Sequence, residues 1–225
     1  MAALSNMFAV PAATAMMEDS AALNAQLREL FLGWEAEGPR HANPDAYQVG
    51  SKALFESNFR LFDRSEPPVV RLRQFCWNHL YQLIGELNGY DLETLKRLQI
   101  AHEAWFHITR QRGSFALHNH PMHAWSGVYC VCQEGDDPAS DSGKFTVINP
   151  LATANMYTDM STFKMRAPYS HSHPSIRLQP GQLLLFPSWL LHYVTPFEPV
   201  SADAVRITVA FNARFRLDGY RTGQP

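Results

Sequence analysis

"LHNHPMHAWSGVYCV", residues 117–131, sets three histidines within six positions and then passes straight into a run of small and apolar residues. The run from 126 to 132 has the length and composition of a buried strand. In an extended chain, residues two apart point the same way, so His118 and His120 can present both imidazoles to one point while Asn119 faces the opposite side. An isolated His-x-His also has a plainer reading, one surface histidine beside one hydrogen-bonded core histidine.

A third histidine bears on that choice. "PGQLLLFPSWLLHYVTP", residues 180–196, holds a Pro-Gly turn, a wholly apolar strand, a corner at Pro187 and then His192 at the head of another short strand. Burying an imidazole after such a run is costly unless it is hydrogen-bonded or binds a metal. Together with the upstream pair it makes a three-ligand set that leaves coordination positions open, as a catalytic metal site requires. In "AVRITVAFNARF", residues 204–215, Val205, Ile207, Val209 and Phe211 share one face, and Arg206, Thr208, Ala210 and Asn212 share the other. Arg206 therefore points toward the core or a cavity. A guanidinium there wants a fixed anion: either a carboxylate that its planar fork grips in bidentate fashion, helped by the Thr208 hydroxyl, or one of the protein's own acids.

The rest of the chain supplies the setting for these residues. From about residue 100 onward, short runs rich in Val, Ile, Phe, Thr and Tyr alternate with clusters such as "QEGDDPASDSG" and "QPG". Strands are predicted at 101–109, 115–118, 126–132, 144–148, 182–186, 192–197 and 204–215, with no helices between them, which implies an antiparallel sandwich or barrel. Residues 149–179 have weak periodicity and read as a long loop crossing a site. The first hundred residues read as helical. One helix begins at Asp19 or Ser20, carries Leu23, Leu27, Leu30 and Phe31, and stops at Gly33 and the Gly38-Pro39 pair. A second stretch, "DAYQVGSKALFESNFRLFD" (45–63), is less regular, and a third helix runs from Pro67 to Gly89. The fold class is therefore mainly β with a helical N-terminal part, an α+β arrangement. A helical lobe at 1–98 packs on a β core at 99–225, the two forming one integrated unit.

Composition narrows the function. The 225 residues are 46% hydrophobic and 18% charged with a net charge of −2, and no block of lysines or arginines offers a surface to nucleic acid or an anionic membrane. The partner expected is a small molecule, with a homodimer a reasonable assembly. Three cysteines without Cys-x-x-Cys spacing point to a reducing, cytoplasmic setting rather than a disulfide scaffold. The opening "MAALSNMFAVPAATAMM" lacks a basic start and is interrupted by Pro11, so it does not read as a signal peptide, and no apolar run reaches the length of a membrane span.

The order of these features, "HNHPMHAWSGVYCV", then "GQLLLFPSWLLHYVTP", then "RITVAFN", resembles the double-stranded β-helix, or cupin-like, Fe(II) and 2-oxoglutarate dependent oxygenases, in the branch named putative 2OG-Fe(II) oxygenase. The likeness covers roughly the second half of the chain. It implies a double-stranded β-helix or jelly-roll core flanked by helices, with Fe(II), 2-oxoglutarate and O2 as cofactor and co-substrates. It further implies hydroxylation, or another oxidation such as desaturation or ring closure, at a C–H bond of a small polar substrate, with succinate and CO2 as co-products. His118 and His192 would be iron ligands, and Arg206 with Thr208 would hold the distal carboxylate of 2-oxoglutarate. His120 stands where the wider superfamily carries Asp or Glu, and it is taken as the third ligand. Ser126 and Tyr129 are candidates to reach the co-substrate, and Trp125, His123 and His173 are candidates for substrate contact. Two other readings remain: a three-histidine cupin enzyme of thiol dioxygenase or isomerase type that does not use 2-oxoglutarate, and a non-catalytic jelly-roll binding module.

Overall fold

The computed structural model describes residues 3–46, 53–135, 137–151 and 156–217. Among these residues ten strands form two antiparallel sheets that face each other. The larger, in the order β1-β8-β5-β10-β3-β2, is built from β1 (Ala13–Met16), β2 (Leu54–Glu56), β3 (Leu98–Thr109), β5 (Trp125–Gln133), β8 (Gln182–Pro187) and β10 (Arg206–Leu217). The smaller, in the order β4-β9-β6-β7, contains β4 (Phe115–His118), β6 (Phe145–Val147), β7 (Ser175–Ile176) and β9 (His192–Val194). This is the double-stranded β-helix arrangement, with helices on the outer face of the large sheet.

The period-two alternation of the strands separates two apolar layers. On the outer face, Val205, Ile207, Val209 and Phe211 of β10, Phe106 and Ile108 of β3, and Leu183 and Leu185 of β8 join Leu23, Leu27 and Phe31 of helix α1 (Ser20–Ala36) and Leu72, Cys76 and Leu80 of helix α2 (Pro67–Asn88) in one buried cluster. Phe31 stacks on Phe106 with ring centroids 4.2 Å apart. Each Leu or Phe buried in this way contributes about 1.5–3 kcal/mol of transfer free energy. Gly127 of β5 is required here, since a Cβ at that position would lie 2.2 Å from the Phe211 ring. Between the sheets lies a smaller apolar cluster of Cys130, Phe145, Leu184, Phe186, Leu190 and Val194. Only one end of this inner space is filled by it, and the other end holds polar side chains.

All seven strands expected from the sequence are present, and α2 ends where expected, with Gly89 in the left-handed region (φ 65°) donating its N–H to Gly85 O. The first hundred residues are not wholly helical, however. They contribute β1, which pairs with β8, and β2, which pairs with β3, so two strands of the large sheet come from the expected helical lobe. Part of 45–63 lies outside the described residues; of the remainder, Leu54 to Glu56 is strand and Leu61–Asp63 is a single 3-10 turn. This three-residue strand sits inside a less regular stretch without bounding turn clusters, and it extends along the edge of β3. Helix α1 runs through Gly33 to Ala36, because that glycine occupies an open helix face where a missing side chain leaves nothing unpacked. A short helix α3 (Leu92–Arg97) was not foreseen, although Asp91 caps it by accepting from Thr94 N at 2.8 Å. No helix among the described residues is long and apolar enough to cross a membrane.

Candidate metal and co-substrate site

β4 and β9 pair so that His118 and His192 stand directly opposite each other. His120 lies two residues beyond β4, where its backbone N–H donates to Ser188 O at 2.9 Å. The ring centroids of His118 lie 4.3 Å from His192 and 5.0 Å from His120, and one ligand nitrogen from each of the three imidazoles falls within 4.8 Å of the others. Nδ1 of His118 lies 2.7 Å from Ala116 O, and Nδ1 of His192 lies 2.8 Å from Leu190 O. A carbonyl oxygen only accepts, so each Nδ1 carries the proton and each Nε2 keeps its lone pair free for a cation. His192 is held further by Phe145 and Phe186, whose ring centroids lie 4.9 and 5.0 Å from its own.

Burial, followed by repulsion from the other histidines, pushes His120 down to about 3 and His192 to about 4. Both rings are therefore neutral near pH 7, the form that binds metal. The same shifts set a pH dependence in the metal-free protein. Below the ordinary histidine value near 6.5 the unfolded chain takes up protons that the folded site refuses, so stability falls with pH from about 6.5 toward about 4. The metal-free melting temperature is expected to drop across that window in calorimetry at constant ionic strength, and less steeply in His192→Gln; a flat profile would contradict the assignment of buried neutral rings.

The polar end of the inner space continues from the histidines to Arg206. A cavity of about 40 Å³ is lined by His118, His120, His192, His107, Arg206 and Thr208 among others. Arg206 is only 2% exposed, its Nε has no hydrogen-bond partner, and among the described residues no carboxylate pairs with it. Burial lowers its pKa, as expected of a charge held in a low-dielectric space. Among the described residues, the internal salt bridge left open by the sequence is absent. The guanidinium instead faces space for roughly three water-sized groups, the bulk of one carboxylate. A donor set of three imidazoles beside an unpaired buried guanidinium fits a divalent metal and a short dicarboxylate spanning from it to Arg206.

The outward side opens into a cleft of about 700 Å³ that shares Trp105, His107, Phe115, His118 and His120 with the inner cavity. Two of its residues were not anticipated. Glu56 of β2 and His107 of β3 are register partners, with the carboxyl oxygen 2.9 Å from Nε2, and Asn43 Nδ2 donates to the other Glu56 oxygen at 2.6 Å. Although burial opposes ionisation of Glu56, the bonds to His107 and Asn43 outweigh it and hold the carboxyl below the ordinary range. His107 shares the inward phase of Trp105 and Thr109 along β3, a signal that was visible in the sequence.

Other expected positions lie elsewhere. Tyr129 faces the helices, where its hydroxyl donates to Asn24 Oδ1 at 2.8 Å, so it cannot reach the co-substrate cavity. Ser126 is buried, and its hydroxyl is bonded to Asn212 Oδ1 at 2.7 Å and to Ser188 Oγ at 2.8 Å. Trp125 packs against the outer apolar layer because it shares the phase of Gly127 and Tyr129. His173 is exposed, and its Nδ1 accepts from Asn149 N at 3.0 Å, an anchor within its own loop. The described part of 149–179 lines neither the inner cavity nor the cleft, so, contrary to expectation, it does not cross the site there. His123 does line the outer cleft, 3.8 Å from Glu103.

Residues 103–212, from the middle of β3 to Asn212 of β10, match the model of the family described as "Putative 2OG-Fe(II) oxygenase". That segment, just under half of the chain, is similar to the 2OG-Fe(II) oxygenases. It contains the three histidines, Arg206 and Thr208. Among solved structures, an oxygenase fold of this kind is shared with a prolyl-4-hydroxylase from Pseudomonas putida, at 16% identity and a TM-score of 0.58 over 92% of this chain and 94% of that one. AviO1 from Streptomyces viridochromogenes Tue57 aligns at 14% identity with a TM-score of 0.58, covering 96% and 93% of the two chains. HygX from Streptomyces hygroscopicus, solved with nickel and 2-oxoglutarate bound, aligns at 12% identity with a TM-score of 0.52, covering 91% and 82%. No curated protein matches this chain by sequence.

Proposed function

We propose that this oxygenase binds Fe(II) through His118, His120 and His192, anchors the distal carboxylate of 2-oxoglutarate on Arg206 and Thr208, and hydroxylates a C–H bond of a small polar substrate. The observation that carries the reading is Arg206: a guanidinium almost wholly buried, without a protein anion, in the same cavity as three converging imidazoles. Leaving such a charge unpaired costs several kcal/mol, so a bound anion is the natural complement. HygX, of the same fold, holds nickel together with 2-oxoglutarate. When bound, iron and 2-oxoglutarate supply the oxidising power, with O2 consumed and succinate and CO2 formed.

The protein's own contribution is positioning. Ala116 and Leu190 carbonyls fix two of the rings so that their free nitrogens converge. Phe145, Val128 and Val194 line the inner cavity and keep its walls apolar, which strengthens the attraction between Arg206 and a carboxylate. Thr208 stands beside Arg206 on the same inward face and offers a hydroxyl there.

The test is conversion of 2-oxoglutarate to succinate in air by the purified protein, dependent on added Fe(II). Turnover of 2-oxoglutarate even without substrate supports the reading, whereas metal binding without either turnover or 2-oxoglutarate affinity would favour a second one. That alternative is a three-histidine metalloenzyme in which Arg206 grips the carboxylate of the substrate itself. The observation in its favour is that His120 puts a third neutral ring where the resemblance leads one to expect a carboxylate.

A further inference from the structure

The inner cavity and the outer cleft share five residues and form one hollow, yet their charged groups are of opposite sign. At the floor is the guanidinium of Arg206, whose Nε has no hydrogen-bond partner. The cleft is lined by Asp45, Glu56 and Glu103, and no lysine or arginine lines it among the described residues. Glu56 is engaged by His107 and Asn43, but Asp45 and Glu103 are exposed at the mouth, and among the described residues the basic group within 4 Å of the Glu103 carboxylate is His123. Bound iron and a 2-oxoglutarate dianion cancel in charge, and three neutral imidazoles add none. The mouth therefore keeps its negative charge when the site is loaded.

Phe59 and Trp105 line the same cleft with ring centroids 4.8 Å apart, Phe59 being 39% exposed and Trp105 6%. Aromatic faces next to acids form a receptor for a cation carried on an apolar or ring-shaped body. The volume, about 700 Å³, is that of a small-molecule pocket. We infer that the substrate of this oxygenase carries a positively charged amine or guanidine, bound between Asp45 and Glu103 and laid against Phe59 and Trp105, so that the hollow sorts its two ligands by charge: the dicarboxylate to the cationic floor, the cationic substrate to the anionic mouth. This inference rests on the reading of the histidines and Arg206 given above.

The experiment uses full-length protein loaded with Ni(II) and 2-oxoglutarate, a complex that does not turn over, and three probes that share a ring and a short chain but differ in head group: 2-phenylethylamine, 2-phenylethanol and 3-phenylpropanoate. Loading is measured first, by calorimetric titration of the metal and then of 2-oxoglutarate. The amine is expected to bind roughly tenfold more tightly than the alcohol and the carboxylate most weakly of the three, with the amine preference shrinking as salt is raised. In Asp45→Asn/Glu103→Gln that preference is expected to fall roughly three- to tenfold, the effect of removing exposed ion pairs. Equal binding of amine and alcohol, a preference for the carboxylate, or an amine preference untouched in the double variant would each overturn the inference while leaving the metal and co-substrate assignments standing. Protein that takes up neither Ni(II) nor 2-oxoglutarate would defeat those assignments, and the inference with them.

Discussion

Replacing Arg206 with Met is expected to produce two effects of opposite sign. Affinity for 2-oxoglutarate should fall roughly 30-fold or more, the loss of about 2–5 kcal/mol that follows removal of one partner from a buried charge pair. The melting temperature of the unliganded protein should rise, because the wild-type chain buries a guanidinium whose Nε has no partner, and an apolar side chain of similar length ends that penalty. A purely structural arginine would behave in the contrary way, losing stability with no specific effect on a dicarboxylate. Metal affinity, measured without 2-oxoglutarate, should change little, since the guanidinium is not a donor to the cation. Calorimetric titration and differential scanning on one preparation check both signs. Unchanged 2-oxoglutarate affinity together with a lower melting temperature would return Arg206 to the scaffold.

Loss of His192 should be equally large at the metal. His192→Ala removes one of three nitrogens that lie within 4.8 Å of one another, and the remaining pair cannot hold a divalent ion with comparable strength. The affinity for Fe(II) or Ni(II) is expected to fall by two orders of magnitude or more, and succinate formation to disappear with it. Because the ring also packs against Phe145 and Phe186, alanine leaves a void and costs stability. His192→Gln fills most of that volume without an imidazole, so it separates the two consequences: metal loss with little change in folding. Metal retained at one equivalent in both variants would remove His192 from the ligand set.

β3, β5, β8 and β10 could be read from the chain because they are long enough to show their period, and β4, β6 and β9 because their runs lie between clear turn clusters. Along β10 the alternation of Val205, Ile207, Val209 and Phe211 with Arg206, Thr208 and Ala210 is uninterrupted, so the inward face and its guanidinium followed directly. His192 stood out because it ends an apolar run in which a lone imidazole has no reason to be. The same rule, applied to β5, would have separated Ser126 from Tyr129: they differ by an odd number of residues and so face opposite layers, one toward Asn212 and the other toward Asn24. What the chain concealed has a different cause. β1, β2 and β7 are two to four residues long and owe their extension to the strand edges beside them, which no local pattern announces. Glu56 was hidden with β2, and with it the partner that holds His107. The position of His173 depends on how its loop returns to Asn149, a matter of tertiary closure rather than of periodicity.

The most direct measurement is a crystal structure of the anaerobic complex with Fe(II) and 2-oxoglutarate. The expected result is a single ion bound by one nitrogen each of His118, His120 and His192, with the keto-acid end of 2-oxoglutarate on the metal and its far carboxylate paired with Arg206. An ion held by two histidines while His120 turns away, or a 2-oxoglutarate molecule whose carboxylate leaves Arg206 unpaired, would contradict it.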